Sequence, residues 1–357
     1  MSLVAFIILL PLVVFVHELG HFVLARANGV RVDAFSIGFG PVLFKWRDRR
    51  GTEWRVSLVP LGGYVKMFGQ NDVPESAEKK AALIKKLKPA ERKVHFEFKT
   101  RLRRASIIAA GPAANYLFAF LVFAALFVSV GIPRTPAVVG QALPDSPALA
   151  AGIRAGDVIL EIAGSRIEKP RDIPRVMGAS DGSPLDVVVR RDGCDMAFEL
   201  SPKSENGRYV LGISYSMILE DYQRRSFAGA LASALAEIWS ITRDTTVSLG
   251  EMIAGRRSSR DLGGLISIAQ VSGRALEGGA YSFLYLVAFI SVSLGLFNLF
   301  PIPMLDGGYL LMYGIEALLR RPLADKFKER MFMAGFAVVV ALLLLSNFND
   351  IARLLGR

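Results

Sequence analysis

The chain has 357 residues, 52% of them hydrophobic, with a mean hydropathy of +0.39 and a formal charge of +11. That apolar content is high for a soluble domain and too mixed for a bundle of membrane helices alone. A single cysteine, Cys194, excludes an intramolecular disulfide and any thiolate metal cluster, and its setting in Arg191-Asp192-Gly193-Cys194 reads as a hairpin turn.

In chain order, Leu3–Ala25 is an apolar run long enough to span a bilayer. Near its far end stands His17-Glu18-Leu19-Gly20-His21. Histidines at i and i+4 share a helix face, so both imidazoles can bind one Zn²⁺, with Glu18 beside the metal as a general base. Three polar groups so close together in hydrocarbon need a partner, and metal ligation supplies one. Ala25-Arg26-Ala27 loosely fits a signal-peptidase site, but no Lys or Arg precedes the apolar run and cleavage would discard the histidine pair. A retained membrane helix is therefore expected.

After it, Ile37-Gly38-Phe39-Gly40-Pro41 reads as a glycine-rich turn. Strands are predicted at Glu53–Val59 and Gly63–Phe68, with Pro60-Leu61-Gly62-Gly63 as the turn between them. Residues 74–99, rich in Lys, Glu and Ala, read as an amphipathic helix on lipid headgroups or as a solvated one. The second membrane run, Ala105–Val130, carries Gly111-Pro112-Ala113-Ala114-Asn115. Its small residues permit close helix approach, and Asn115 brings an amide into the interior or serves as plain packing.

From about Thr135 to Ser216 short β-type runs alternate with Gly, Pro and Asp turns. From Phe227 to about Gly255 the pattern is helical, with Phe227, Leu231, Leu235, Ile238 and Trp239 as an apolar stripe. A third membrane run, Phe283–Phe300, leads into Asn298-Leu299-Phe300-Pro301-Ile302-Pro303-Met304-Leu305-Asp306-Gly307-Gly308. Two prolines force unwinding there, and unwound backbone at membrane depth needs protein or a watery cavity around it. Asp306 is then either a helix cap before Gly-Gly or a third metal ligand. Two histidines and one carboxylate leave a fourth position open, which is the catalytic arrangement. The fourth run is Met331–Phe348.

Between Arg26 and Arg104 there are 19 Lys/Arg and 8 Asp/Glu, whereas Gly131–Ser282 holds 17 and 18. The basic loop is expected in the cytoplasm and the neutral one outside, with both termini outside. Anionic lipid headgroups, rather than nucleic acid, are the expected partner of the surplus. A rise of roughly 1.5 Å per residue sets Glu18 about 20 Å inward from the outer face, toward the cytoplasmic side.

Together, HELGH at 17–21, GPAAN at 111–115 and NLFPIPMLDGG at 298–308 resemble the site-2 protease family of intramembrane zinc metalloproteases, in its bacterial regulator-of-sigma-E branch. The resemblance covers nearly the whole chain. It implies one Zn²⁺ held by His17, His21 and Asp306, with Glu18 as catalytic base. It also implies substrate-contacting or polar-stabilising roles for Asn298 and Asn115. The stretch with Gly62, Gly63 and Tyr64 resembles the family's membrane-associated β-hairpin, which would contact substrate. Ser146-Pro147-Ala148 and Ala151-Gly152-Ile153-Arg154-Ala155-Gly156-Asp157-Val158-Ile159 resemble a bacterial PDZ domain, with Leu211, Gly212 and Ile213 in its peptide groove. Tyr309 departs from the His that many relatives carry after LDGG.

The implied fold is a polytopic α-helical membrane protein with four transmembrane helices, a membrane-associated β-hairpin and one inserted extracytoplasmic PDZ domain. Its segments are 1–27, a cytoplasmic loop 28–104, 105–130, the PDZ domain 131–216, an amphipathic helical region 217–282, 283–319, a cytoplasmic loop 320–330, and 331–349. The implied setting is a bacterial inner membrane with a periplasmic PDZ domain. The implied substrates are single-span membrane proteins such as anti-sigma factors and signal-peptide remnants. Rival readings are a noncatalytic scaffold with a structural zinc, which has no use for Glu18, and a transporter, for which internal repeats are absent from the sequence.

Overall fold

The computed structural model describes residues 2–70, 87–134, 137–167, 170, 172–205, 208–215, 221–256, 258 and 262–355. The chain divides into two compact units, one of Met1–Leu126 with Leu231–Arg357 and one of Phe127–Ala230.

The first unit begins with α1 (Ser2–Ala27), followed by β1 (Val32–Arg47) and β2 (Glu53–Met67). A short α2 (Pro89–Val94) and a 3-10 turn at Phe96–Phe98 precede α3 (Arg101–Ser129). Of the amphipathic segment expected at 74–99, residues 74–86 lie outside the described residues.

The β-hairpin differs from the sequence expectation. Its partner for 53–67 is β1, and both glycine-rich stretches are bends inside long strands rather than turns between short ones. Gly38, Gly40 and Gly62 have φ of +84°, +85° and +110°, which lets the chain change direction while pairing resumes on either side. Phe35 lies opposite both Val65 and Trp54, so residues 34–37 are flanked by 63–66 and by 53–56, and 44–47 pair back onto 53–56. Phe35 stacks on Trp54 at 4.5 Å between ring centroids, with Phe22 of α1 edge-on to both. This aromatic cluster, continued by Ile107 and Ile108 of α3, fixes the hairpin on the helices.

The second unit is β-rich. It contains β3 (Ile132–Arg134), β4 (Ala137–Ala142), α4 (Pro147–Ala150), β5 (Val158–Ile162), β6 (Ser165–Arg166), α5 (Asp172–Met177), β7 (Leu185–Arg191) and β8 (Cys194–Leu200). Then follow β9 (Lys203–Glu205), β10 (Arg208–Val210), β11 (Ile213–Tyr215) and β12 (Asp221–Gln223). The main sheet has the order β11-β4-β5-β7-β8, with β6 on β5. Val139, Ile153, Ile159, Ile162, Val187 and Val189 are its fully buried core, each contributing roughly 1.5–3 kcal/mol. Asp192 and Gly193 both have positive φ, the two-residue hairpin geometry, so the turn read before Cys194 is present and Cys194 is exposed. The unit extends past the expected boundary at 216, because β12 returns to pair with β3 at its start. Leu211 is buried in the core, its carbonyl accepts Ala148 N–H, and Gly212 C=O accepts Leu143 N–H. Ile213 pairs with Ala142, which makes β11 an edge strand of the sheet.

The chain returns to the first unit through α6 (Phe227–Ile253), α7 (Leu265–Glu277), α8 (Gly279–Leu299), α9 (Asp306–Leu319) and α10 (Asp325–Leu354). The apolar stripe expected on α6 is split: Phe227, Leu235 and Trp239 are exposed and Leu231 is half-buried, whereas Ile238 is buried together with Ala234 and Ile241. Small side chains allow the closer approach, and the tyrosines anchor it. Tyr285 donates to Glu237, and the Tyr116 and Thr242 hydroxyls lie 3.2 Å apart.

Among the described residues, four helices are long and apolar enough to cross a membrane: α1, α3, α8 and residues 326–354 of α10. Each predicted run lies within one of them except for Val130 and Phe300, which end theirs one residue beyond the helix. In α10 only 6% of the most apolar window is buried. Exposed Phe336, Leu343, Leu344 and Phe348 on such a helix call for lipid around it.

Candidate metal centre

α1 carries His17 and His21 one turn apart, both 7% exposed. Their Nε2 atoms lie 3.2 Å apart. Asp306 Oδ2 comes to 3.2 Å from His17 Nε2 and 3.4 Å from His21 Nε2. Ligands bound at about 2.0–2.2 Å in a tetrahedron sit about 3.3 Å from one another, so the spacing suits one zinc ion. Asp306 Oδ2 is buried with no hydrogen-bond partner, as expected of an atom reserved for a metal.

What brings Asp306 there is the break in the membrane helix. α8 ends at Leu299, the Pro301–Pro303 stretch unwinds, and Asp306 opens α9. Met304 takes φ +84°, a conformation costly for a side-chain-bearing residue, where the chain reverses into that helix. Gly307 and Gly308 lie so close to the 299–303 backbone that a Cβ on either would overlap it, which gives the Gly-Gly pair a packing reason. α10 closes over the same loop at Gly335, whose absent Cβ leaves room for Pro303.

The second helix orients the imidazoles. His21 Nδ1 donates to Ile107 C=O at 2.9 Å, leaving the Nε2 lone pair for a metal. His17 Nδ1 lies 3.3 Å from the amide of Asn115, a residue with no exposure. A half-turn of that amide sets its otherwise unpartnered Oδ1 against His17 Nδ1–H and frees Nε2 likewise. Gly111 is where the rings rest on α3: a Cβ there would come within 2.8 Å of His17 Cε1 and overlap the His21 ring. Gly20 lets the two helices meet, since its Cβ would overlap Ala110 C=O.

Asn115, for which the resemblance implied a substrate-contacting or polar-stabilising role, sits behind the histidines. Only the packing of α3 on α1 shows which way the amide turns. Asn298 donates Nδ2–H to Leu294 C=O of its own helix at 3.0 Å. Gly63 lies against the catalytic-motif glutamate: a Cβ on it would come to 3.1 Å from Glu18 Cγ. Gly62 sits over the Phe39 ring, and Tyr64 accepts from Arg55 at 3.0 Å. Tyr309 packs edge-on to Phe332, outside the ligand set. The sequence reading missed Gly20, Gly111 and Ile107 as parts of the site. The glycines in HELGH and GPAAN were the available signal.

Two histidines on a helix of membrane length, met by a carboxylate and beside a glutamate, define the site of a membrane metallopeptidase. The chain belongs to the site-2 protease family, and the profile of "Peptidase family M50" matches its residues 5–342. It is 37% identical to a Rhizobium meliloti protein named as a zinc metalloprotease, over 98% of this chain and 96% of the relative. It is 36% identical to Metalloprotease MmpA of Caulobacter vibrioides, over 98% and 95% of the two chains. Among solved structures, the PDZ domain of an SdrC-like protein from Listeria monocytogenes aligns with 24% of this chain and 93% of its own. The identity is 19% and the TM-score 0.22, a likeness too slight to define the fold.

Proposed function

We propose that this chain is a zinc metalloendopeptidase that cuts peptide bonds in or near the transmembrane segment of single-span membrane proteins. The observation that carries the reading is the meeting of His17, His21 and Asp306 beside Glu18 and Gly63. The zinc, when bound, supplies a Lewis acid that polarises the scissile carbonyl and acidifies the attacking water. Glu18 takes the proton from that water and hands it to the leaving amine. Ile107 C=O and Asn115 hold the imidazoles in the orientation that presents both Nε2 atoms, and burial keeps competing water away.

A substrate helix has its carbonyls occupied by i→i−4 bonds, so it must unwind before attack. The strand around Gly63–Val65 is the natural partner for the unwound segment, because added strand pairing replaces the lost helical bonds beside Glu18. Asn298 assists by rotating its amide from Leu294 C=O to the incoming backbone. Membrane proteins already trimmed outside, such as anti-sigma factors and signal-peptide remnants, fit this reading. So does an inner-membrane placement with both termini and the β-rich unit in the periplasm, that unit acting as a PDZ domain with Leu211-Gly212-Ile213 at its groove.

Glu18→Gln in detergent-purified protein, with a model single-span substrate, tests the assignment. Loss of cleavage with zinc retained is expected, and undiminished cleavage would remove Glu18 from the mechanism.

A further inference from the structure

We infer that a cavity at the basic end of α1 binds an anionic phosphate, and that in the membrane this phosphate belongs to a lipid headgroup. The cavity, of about 190 Å³, is lined by Arg26, Arg31, Arg50, Gly29 and Thr52 among others. Lys99 Nζ joins it from the next segment, 3.4 Å from where a Gly29 Cβ would stand.

Four cations surround this space and two carboxylates answer them. Arg26 is paired with Asp48 and donates to Thr52 Oγ1 at 2.9 Å. Arg31 pairs through Nε with Asp33 at 2.8 Å and lies with its guanidinium 3.6 Å over the Phe68 ring. Its terminal nitrogens, and the whole guanidinium of Arg50, have no protein partner among the described residues. Free planar guanidinium donors facing a common space match the oxygens of a phosphate. With Lys99 counted, four positive charges stand against Asp33 and Asp48, a surplus of two that a phosphodiester halves and a phosphate dianion cancels.

Depth decides the source. The apolar run of α1 ends at Ala25 and that of α3 begins at Ala105, so Arg26, Arg31 and Lys99 lie where chain leaves hydrocarbon for headgroups. The same cavity joins the end of α1, which bears the histidines, to the loop between β1 and β2, whose second strand touches Glu18. A headgroup seated there ties the hairpin to the helix of the metal centre. The binding claim does not rest on the proposed proteolysis.

The test uses the full-length protein extracted from vesicles of phosphatidylcholine with phosphatidylglycerol, and native mass spectrometry to count retained lipid. One retained phosphatidylglycerol is expected. At about fivefold for each arginine near the surface, Arg31→Gln with Arg50→Gln should weaken its retention about 30-fold. Arg320→Gln with Arg321→Gln, on the α9–α10 loop, should leave it unchanged. Arg50→Gln alone, on an exposed turn, keeps the test informative if the double variant fails to fold. Inorganic phosphate is titrated in parallel. Phosphate binding that depends on Arg31 and Arg50, without retained lipid, would overturn the headgroup as source. Equal lipid and phosphate binding by parent and double variant would overturn the site itself.

Discussion

Gly63 and Glu18 meet so closely that one added carbon on the glycine would sit 3.1 Å from Glu18 Cγ and 3.1 Å from Val14 Cγ1. The hairpin thus forms one wall of the space in which the glutamate moves. Gly63→Val should push Glu18 or the strand aside. Misplacement by about 1 Å costs catalysis on the order of 10²-fold, so cleavage should fall by about that factor while zinc content stays at one per chain. Parallel activity and metal assays check this, and joint loss of both would assign Gly63 a purely structural role.

Asn115→Ala removes the amide that faces His17 Nδ1 without touching a metal ligand. Partners of this kind are worth about 10–100-fold in metal affinity. Zinc competition with a chelator should show a weakening of that order, and unchanged affinity would separate Asn115 from the centre.

Asp306→Asn should lose zinc altogether, because an amide replaces the one anionic ligand of the three. Chelation of the parent protein should abolish cleavage, with recovery on adding zinc back. Chelator-resistant cleavage would contradict the metal mechanism.

In the β-rich unit, Arg191 holds Asp157 through two hydrogen bonds of 2.7 Å, with Arg154 N–H as a third partner. Burial alone would raise the Asp157 carboxyl, but those bonds outweigh it and hold it below the ordinary carboxylate value. A carboxylate depressed in the folded state stabilises above its unfolded pKa, and that contribution fades as pH falls through the depressed value. The unit should therefore be fully stabilised by this pair at neutral pH and lose the contribution below about pH 4. Arg191→Met leaves Asp157 buried without its partner, so hydrogen exchange in residues 185–200 at pH 7 should speed up at least roughly tenfold. Equal protection in parent and variant would show the pair to be neutral.

The legible parts of this protein are those set by neighbours in sequence. The i, i+4 spacing of His17 and His21 puts two imidazoles on one helix face. The two prolines at 301 and 303 break a membrane run, and alternation marks Trp54–Leu58 as strand. The turn before Cys194 follows from Asp192-Gly193. The misread parts depend on partners far away in the chain. Pro60–Gly63 has turn chemistry, yet β1 arrives beside it and converts the turn into a bend. Phe227, Leu231, Leu235, Ile238 and Trp239 make one stripe by spacing, but only Ile238 of them is buried, beside Ala234 and Ile241, because the neighbouring helices fix which side of α6 is covered.

The sequence by itself determined which segments are long and apolar enough to cross a membrane, which residues can ligate a metal, and which face of α1 presents them, because helical period and hydropathy are local properties. Only the tertiary structure decided that Asp306 reaches the histidines, that Asn115 turns to His17 across 98 positions, and that Gly63 closes on Glu18. Those relations exist only once helices and hairpin are packed, since close packing, and not residue type, fixes where a side chain points.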